Sequence, residues 1–373
     1  MIQVFSNTLG EEEIQAARNV INSRWLGMGQ ECKAFEKELG NYFGTERVLL
    51  TNCCTSAIFI AIRALGIGKG DEVIVTTCNF NAIPSAILSV GAKPVFADVD
   101  PKTCNILPSE IDRLKTRKTK AVFILHYGGH PAPFDEIKVA CGKKIKIIED
   151  SANSVSSKYK GTHCGNLGAA GVFSFDAMKI LVMGDGGALI INDEAAFNLA
   201  KSLRYLGFPS TTTSGTDSLK QGNLRWWEFE LSNVSGRFIS NDILASMGRV
   251  QLRKLPQFIE RRKQVWDYYQ KNLSNIPGAI TPPEPLPGCT STYYLYWLKV
   301  PKKRDQLANY LKDKGIYTTF RYYPLHLVKY LKSKAHLKNA EEINETMLNI
   351  PLHQNLSDAD AEKTVSEIRQ FFK

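Results

Sequence analysis

The chain has 373 residues, 43% of them apolar and 23% charged, and its 47 Lys and Arg against 37 Asp and Glu give a net charge of +10. Such a composition excludes disordered, collagenous and coiled-coil chains and fits a soluble globular protein of two or three domains. No run approaches the roughly 20 apolar residues that span a bilayer, so a membrane-spanning protein is excluded too.

The first residues, MIQVFSNTLGEEEI, carry neither the basic segment nor the apolar stretch of a secretory signal, and a cytoplasmic protein is expected. Residues 11–24 and 31–43 have the periodicity of helices ahead of a sheet. From about 45 to 195, short apolar runs follow one another: Val48–Thr51, Glu72–Thr77, Pro94–Val99, Ala121–Leu125, Ile145–Asp150, Gly171–Phe175 and Ala188–Asn192. They are rich in Val, Ile and Phe and hardly alternate, as in strands buried on both faces. Helical patterns such as Ser56–Leu65 and Ala82–Ser89 lie between several of them, which predicts a largely parallel α/β sheet covered by helices. Residues 208–235 are irregular and too polar in their first half to pack. Beyond about 240, Asp242–Leu273 reads as a long helix, 292–300 as a strand, and Arg304–Lys314 and 358–372 as helices. The expectation is a large α/β domain over 1–240 and a smaller α+β domain over 241–373.

The basic residues are scattered, in clusters no longer than Lys302-Lys303-Arg304, which argues against nucleic acid and for phosphorylated small substrates. The eight cysteines contain no C-x-x-C and the six histidines no ligand spacing, so reduced thiols and no metal are expected.

Three stretches carry chemistry. In Gly171-Val-Phe-Ser-Phe-Asp-Ala-Met-Lys179-Ile-Leu-Val-Met-Gly-Asp-Gly-Gly187 a strand ends in a serine and a lysine five residues apart, and a Gly-rich stretch returns to a second strand. The apolar neighbours of Lys179 predict a disfavoured ammonium and a more nucleophilic amine, the condition for a Schiff-base lysine. In Ile145-Lys-Ile-Ile-Glu-Asp-Ser-Ala-Asn153 an acidic pair ends a buried strand, where open α/β sheets place ligands. Asp150 reads there either as a helix cap or as the carboxylate partner of a ligand. Thr51-Asn-Cys-Cys-Thr-Ser-Ala57 opens a helix with small polar residues, a setting for phosphate as well as for capping. Phe80 follows the next strand, where its flat side chain could stack on a ring.

Together these residues resemble the sugar aminotransferases of the DegT/DnrJ/EryC1/StrS family. The similarity runs from Trp25-Leu-Gly-Met-Gly29 through Gly91-Ala-Lys-Pro-Val-Phe-Ala-Asp98, Glu149-Asp150 and Lys158-Tyr-Lys-Gly161 to Arg321-Tyr-Tyr-Pro-Leu-His326. Its most specific part is Ser-Phe-x-x-x-Lys followed by Gly-Asp-Gly-Gly. The resemblance implies the aspartate-aminotransferase (type I) fold, pyridoxal 5′-phosphate as cofactor, and a homodimer with shared sites. Lys179 would form the Schiff base and Asp150 would hold the pyridinium proton. Thr55, Ser56 and Ser174 would clamp the phosphate, and Phe80 would stack on the ring. Asn153 stands where the family commonly has His or Gln, near the ring oxygen. Arg237 stands where the family has a phosphate-binding Asn donated across the dimer, and its other reading is a solvent-facing arginine.

The implied function is transfer of an amino group, with glutamate as the usual donor, to a keto-sugar that is nucleotide-linked, in polysaccharide biosynthesis. A small phosphorylated ketone is the alternative acceptor, and a non-catalytic regulatory protein on the same fold is the alternative class. Lys220, Arg225, Trp226 and Trp227 suit a nucleotide; the tryptophans suit a dimer interface equally.

Overall fold

In a computed structural model of the chain, which describes residues 1–209, 225 and 227–373, two helices, α1 (Glu11–Ser23) and α2 (Gln30–Phe43), precede the sheet as their periodicity predicts. The strands are β1 (Val48–Thr51), β2 (Glu72–Thr76), β3 (Lys93–Ala97), β4 (Thr119–Leu125) and β5 (Lys146–Asp150). A two-stranded ribbon follows, β6 (Lys158–Tyr159) with β7 (Thr162–His163), then β8 (Ala170–Ser174) and β9 (Gly187–Ile191). Seven of them form one sheet in the order β1-β9-β8-β5-β4-β2-β3. Every neighbouring pair is parallel except those made by β9, which runs antiparallel to both β1 and β8.

Consecutive side chains explain the unbroken apolar runs. Ile74, Val122, Ile124 and Ile147 enter one cluster, beneath α5 (Pro108–Leu114) and α6 (Phe134–Cys141). Val73, Val75, Phe123 and Ile148 enter the other, with α3 (Cys54–Ala64) and α4 (Ala82–Ser89). The side-chain period of a strand is two, so burial on both faces leaves no polar position to reveal it.

Beyond α7 (Glu194–Arg204) the long helix Asp242–Leu273 holds the two ends of the chain together. Its first residue reaches α2: Asp242 Oδ1 accepts from Gly29 N at 2.8 Å and Cys32 N at 3.0 Å, capping a helix whose own N-cap is a glycine. Gln251 and Lys254, further along, hold the buried Glu13 of α1 at 2.8 and 2.9 Å. The expected strand 292–300 is shorter, Tyr296–Lys299, and pairs with Met347–Ile350. Its first residues are diverted, Tyr294 N donating to Gly128 O at 2.8 Å across the pocket described below. The helix Lys338–Thr346 is capped in the same borrowed way, by Asp98, which takes Asn339 N at 3.0 Å and Ala340 N at 2.9 Å. A separate apolar cluster of residues between 265 and 368 packs the C-terminal strands and helices. Among the described residues no helix is long and apolar enough to cross a membrane.

His130 sits in this framework with 2% of its surface exposed, donating from Nε2 to Pro283 O at 3.2 Å and placing Nδ1 2.8 Å from Ser291 Oγ. Burial pushes its pKa down from 6.5 to about 4. Between those values the unfolded chain binds a proton that the folded one refuses, so stability falls as pH falls through the window. Urea titrations from pH 7 to 4.5 should show His130→Gln losing less stability on acidification than the parent. The difference should be about 1.4 kcal/mol per pH unit; equal slopes would show that His130 is not held neutral.

Candidate active site

The C-terminal end of β5 separates its two carboxylates. Glu149 is fully buried and accepts from Gly165 N at 2.7 Å, Leu167 N at 2.8 Å, Gly168 N at 2.7 Å and His126 Nε2 at 2.9 Å. Because His126 Nδ1 accepts from Ala132 N at 3.0 Å, the ring proton stands on Nε2 and points at Glu149. Four donors therefore tie down one carboxylate, and Gly165, Gly168 and Gly171 pack around it where a Cβ would collide with neighbouring atoms. Glu149 is a structural anchor for the turn before β8.

Asp150, the next residue, is also buried, and its Oδ1 accepts from its own turn, Ala152 N at 3.0 Å. Burial raises its pKa; Ala152 N, the nearby Lys179 and His126, and the Asn79 amide pull the other way. The carboxylate is poised for a cationic or N–H partner. The cap reading of Asp150 does not hold, since the next segment is a turn and no helix starts there.

Lys179 is placed by its own loop. Asp176 Oδ1 accepts from Met178 N at 3.0 Å and Asp176 O from Lys179 N at 2.9 Å, while Phe175 N donates to Gly186 O at 2.9 Å and Met183 N to Phe175 O at 3.0 Å. Ile180, Leu181 and Met183 are buried in the main apolar cluster and anchor the loop. The amine itself turns to polar company, 3.4 Å from Asn153 Oδ1 and 5.1 Å from the ring centre of Tyr294. The expectation of a disfavoured ammonium is therefore corrected. Burial does oppose the charge, but Tyr294, Tyr322 and the Asp150 carboxylate more than offset it, and the pKa stands above the ordinary lysine value. The apolar neighbours in sequence hold the loop and do not surround the nitrogen.

The remaining candidates gather from other elements. Ser174 ends β8 opposite Gly187 of β9, and a Cβ on Gly187 would lie 2.5 Å from Cys54 N. That close approach sets Ser174 beside the start of α3, where Ser56 is buried and Thr55 half-buried. The cap of α3 is the Cys53 thiol, 3.5 Å from Ser56 N, a weak acceptor that leaves the helix end suited to an anion. Phe80 is 55% exposed, its ring 6.2 Å from that of Tyr322 at 61°. Asn153 is buried, and its Nδ2 has no hydrogen-bond partner. Arg237 stays outside this group. It is exposed, its backbone bridges to Tyr205, and its side chain lines a cleft of about 280 Å³ with Asn52 and Ser240. Lys220 and Trp226 lie outside the described residues; Arg225 pairs with Glu228 at 2.9 Å and Trp227 is 59% exposed.

Residues given no role in the sequence analysis complete the walls, some of them from segment 321–326, which carries part of the family resemblance. Tyr294 stacks on Phe5 at 5.5 Å, and the Arg321 guanidinium lies 4.4 Å from the Phe5 ring centre with Nη2 3.3 Å from Met178 Sδ. The buried Asn79 amide lies beside Asp150 and favours its charged form. Segment 321–326 is latched to the end of β2: His326 N and Nδ1 lie 3.3 and 2.8 Å from Thr77 Oγ1, and His326 Nε2 lies 3.2 Å from Glu341. No local pattern marks Phe5, Asn79 or Tyr294, because aromatic and polar side chains far apart in sequence read as ordinary core.

The sequence model of the DegT/DnrJ/EryC1/StrS aminotransferase family matches residues 7–369. The chain is similar to dTDP-4-dehydro-2,3,6-trideoxy-D-glucose 4-aminotransferase of Saccharopolyspora spinosa, 41% identical over 99% of this chain and 96% of that one. It is also similar to the spore coat polysaccharide biosynthesis protein SpsC of Bacillus subtilis, 33% identical over 98% and 95%. Among solved structures, the aminotransferase TlmJ from Streptoalloteichus hindustanus superposes with a TM-score of 0.93 at 43% identity, covering 99% of this chain and 98% of that one. The sheet order and the small C-terminal α+β layer accord with the expected type I fold.

The two carboxylates of β5 should respond unequally to neutral replacement. Glu149→Gln forces an amide against backbone donors and should cost roughly 3 kcal/mol in urea unfolding. Asp150→Asn removes a poorly compensated buried charge and should cost less than about 1 kcal/mol. Equal losses would contradict this division of labour.

Proposed function

Because the chain belongs to the DegT/DnrJ/EryC1/StrS aminotransferase family, we propose that it transfers the amino group of glutamate to a nucleotide-linked keto-sugar. In this proposal the keto group is at C4, a choice supported by the name of the Saccharopolyspora relative. The observation that carries this reading is the gathering of Lys179, Asp150 and two buried amides, Asn79 beside Asp150 and Asn153 beside Lys179, the latter with its Nδ2 unpartnered.

These residues fit pyridoxal 5′-phosphate. Asp150 would hold the ring nitrogen, the orphaned Asn153 amide its phenolic oxygen, and Thr55, Ser56 and Ser174 its phosphate in the cradle that Gly187 keeps open. The exposed Phe80 would cover one face of the ring. When bound, the cofactor supplies an electron sink for the charge left by loss of the donor's Cα proton.

The chain's own residues do the rest. Lys179 Nζ is the group that takes and returns that proton, and the Asp176 turn holds it where it can do so. Asp150 keeps a negative charge facing the sink throughout. Tyr294 and Tyr322 line the amine and keep bulk water from it. Across a full cycle glutamate leaves as 2-oxoglutarate, and the acceptor exchanges its carbonyl oxygen for an amine. We also propose the division into domains at 240/241, which is supported by the separate C-terminal apolar cluster. A homodimer would set the exposed Arg237 near a second copy's site, and a cytoplasmic setting completes the reading.

Incubating the protein with glutamate and a panel of nucleotide-linked and simple phosphorylated ketones, and following 2-oxoglutarate, tests the acceptor class. Turnover only with the simple phosphorylated ketones would replace the nucleotide reading. Lys179→Ala should lower transamination by at least about 10⁴-fold, as removal of a covalent catalyst does, with the thermal transition retained. Turnover near that of the parent would remove the assignment altogether.

A further inference from the structure

The wall that segment 321–326 gives to the Lys179 pocket carries a guanidinium without a counter-charge. Arg321 is fixed through its backbone, its N donating to Asn349 Oδ1 at 2.8 Å and its O accepting from the Tyr127 hydroxyl. Its side chain keeps apolar company. The guanidinium lies 4.4 Å from the ring centre of Phe5 and 6.0 Å from that of Tyr322. Nη2 is 3.3 Å from Met178 Sδ, a thioether and so a weak acceptor. Among the described residues no carboxylate pairs with it. A rigid fork of N–H donors is therefore on offer where the wall opens to solvent, beside Met178, which is 42% exposed.

That place is the reacting end of the pocket. Met178 immediately precedes Lys179, and the Phe5 ring under the guanidinium stacks on Tyr294, whose ring centre is 5.1 Å from the Lys179 amine. Tyr322, next to Arg321, continues the same wall toward Phe80, the two rings 6.2 Å apart. The other arginine near Tyr294 cannot serve a ligand. Arg262 is 5.9 Å from that ring but fully buried, and it is spent on Gln354 Oε1 and the carbonyls of Tyr293, Tyr294 and Leu352. Asp150 repels an anion, and Lys179 has to give up its proton in the reaction. Neither is a standing counter-charge for an acidic substrate, whereas Arg321 is.

We propose that Arg321 binds a carboxylate of the amino donor, the planar anion lying across the guanidinium fork while Phe5 supports the fork from beneath. The inference rests on the aminotransferase reading and adds to it the residue that recognises the donor. A single planar cation matches one carboxylate, whereas the diphosphate of an acceptor would leave charge unmatched. Glutamate offers two carboxylates, one on the reacting carbon and one at the end of its side chain, and the pair with Arg321 would fix which way the donor lies.

Isothermal titration of the cofactor-loaded protein with glutarate, which has both carboxylates of glutamate and no amine to react, tests this without turnover. Arg321→Met keeps a stem to pack on Phe5 and should raise the glutarate Kd by about tenfold or more, the worth of one charge-assisted pair. Arg321→Lys should recover part of that loss. In the glutamate half-reaction the loss should fall chiefly on the half-saturating concentration of glutamate and much less on the rate at saturation. Glutamine as donor separates the two carboxylates: a loss confined to glutamate assigns Arg321 to the side-chain carboxylate, and a loss shared by both donors assigns it to the one on the reacting carbon. An Arg321→Met variant that binds glutarate like the parent, or that weakens the acceptor alone, overturns the proposal. A parent that binds glutarate through Arg321 yet forms no 2-oxoglutarate from glutamate would instead overturn the aminotransferase reading and leave the carboxylate site standing.

Discussion

A carboxylate and an ammonium buried in the same pocket set the terms for everything around them. Burial opposes the charge on both Asp150 and Lys179, and each moves the other's proton affinity toward the charged form. Keeping them together is what the sheet does. Parallel strands end on one side, so β5 delivers the acid and β8 leads into the loop that delivers the base, without either side chain crossing the core. The tyrosines and asparagines around them supply polar contact where water is excluded.

Adjacent positions on one strand are given opposite work. Glu149 faces four donors and is spent on architecture, whereas Asp150 has one donor from its own turn and keeps its remaining capacity. The difference arises from the pleat, which turns consecutive side chains to opposite faces. One face meets the glycine turn at 165–168; the other meets the pocket.

The sheet was legible in the sequence because burial on both faces writes a plain signal, and all seven runs are strands within a few residues at each end. The lysine loop was legible because Ser174, Lys179 and the glycines lie within fourteen positions of one another. Local clues misled for the amine, since Ile180, Leu181 and Met183 are neighbours in sequence while Asn153 and Tyr294 are neighbours in space. The helices Pro108–Leu114, Phe134–Cys141 and Glu194–Arg204 escaped individual notice, the first two because seven or eight residues hold only two turns. Their signals were present, Pro108 at a helix start and Asp193 as a cap bonding Ala196 N at 2.8 Å. Tyr294 was not read at all, and 321–326 was noted as a stretch but not as a wall, since nothing in their composition states which strand end they will meet.

The antiparallel strand β9 has a consequence for assembly order. It returns directly from the lysine loop to pair with β8, so closing that loop brings together residues already near in the chain, with a small loss of chain entropy. Phe80, Asp150 and the segment 321–326 must instead be gathered across long stretches of sequence. During folding the reactive amine is therefore held by local structure before the pocket that restrains it has closed. The late contacts, above all Thr77 with His326, are the ones that turn a formed loop into a working site.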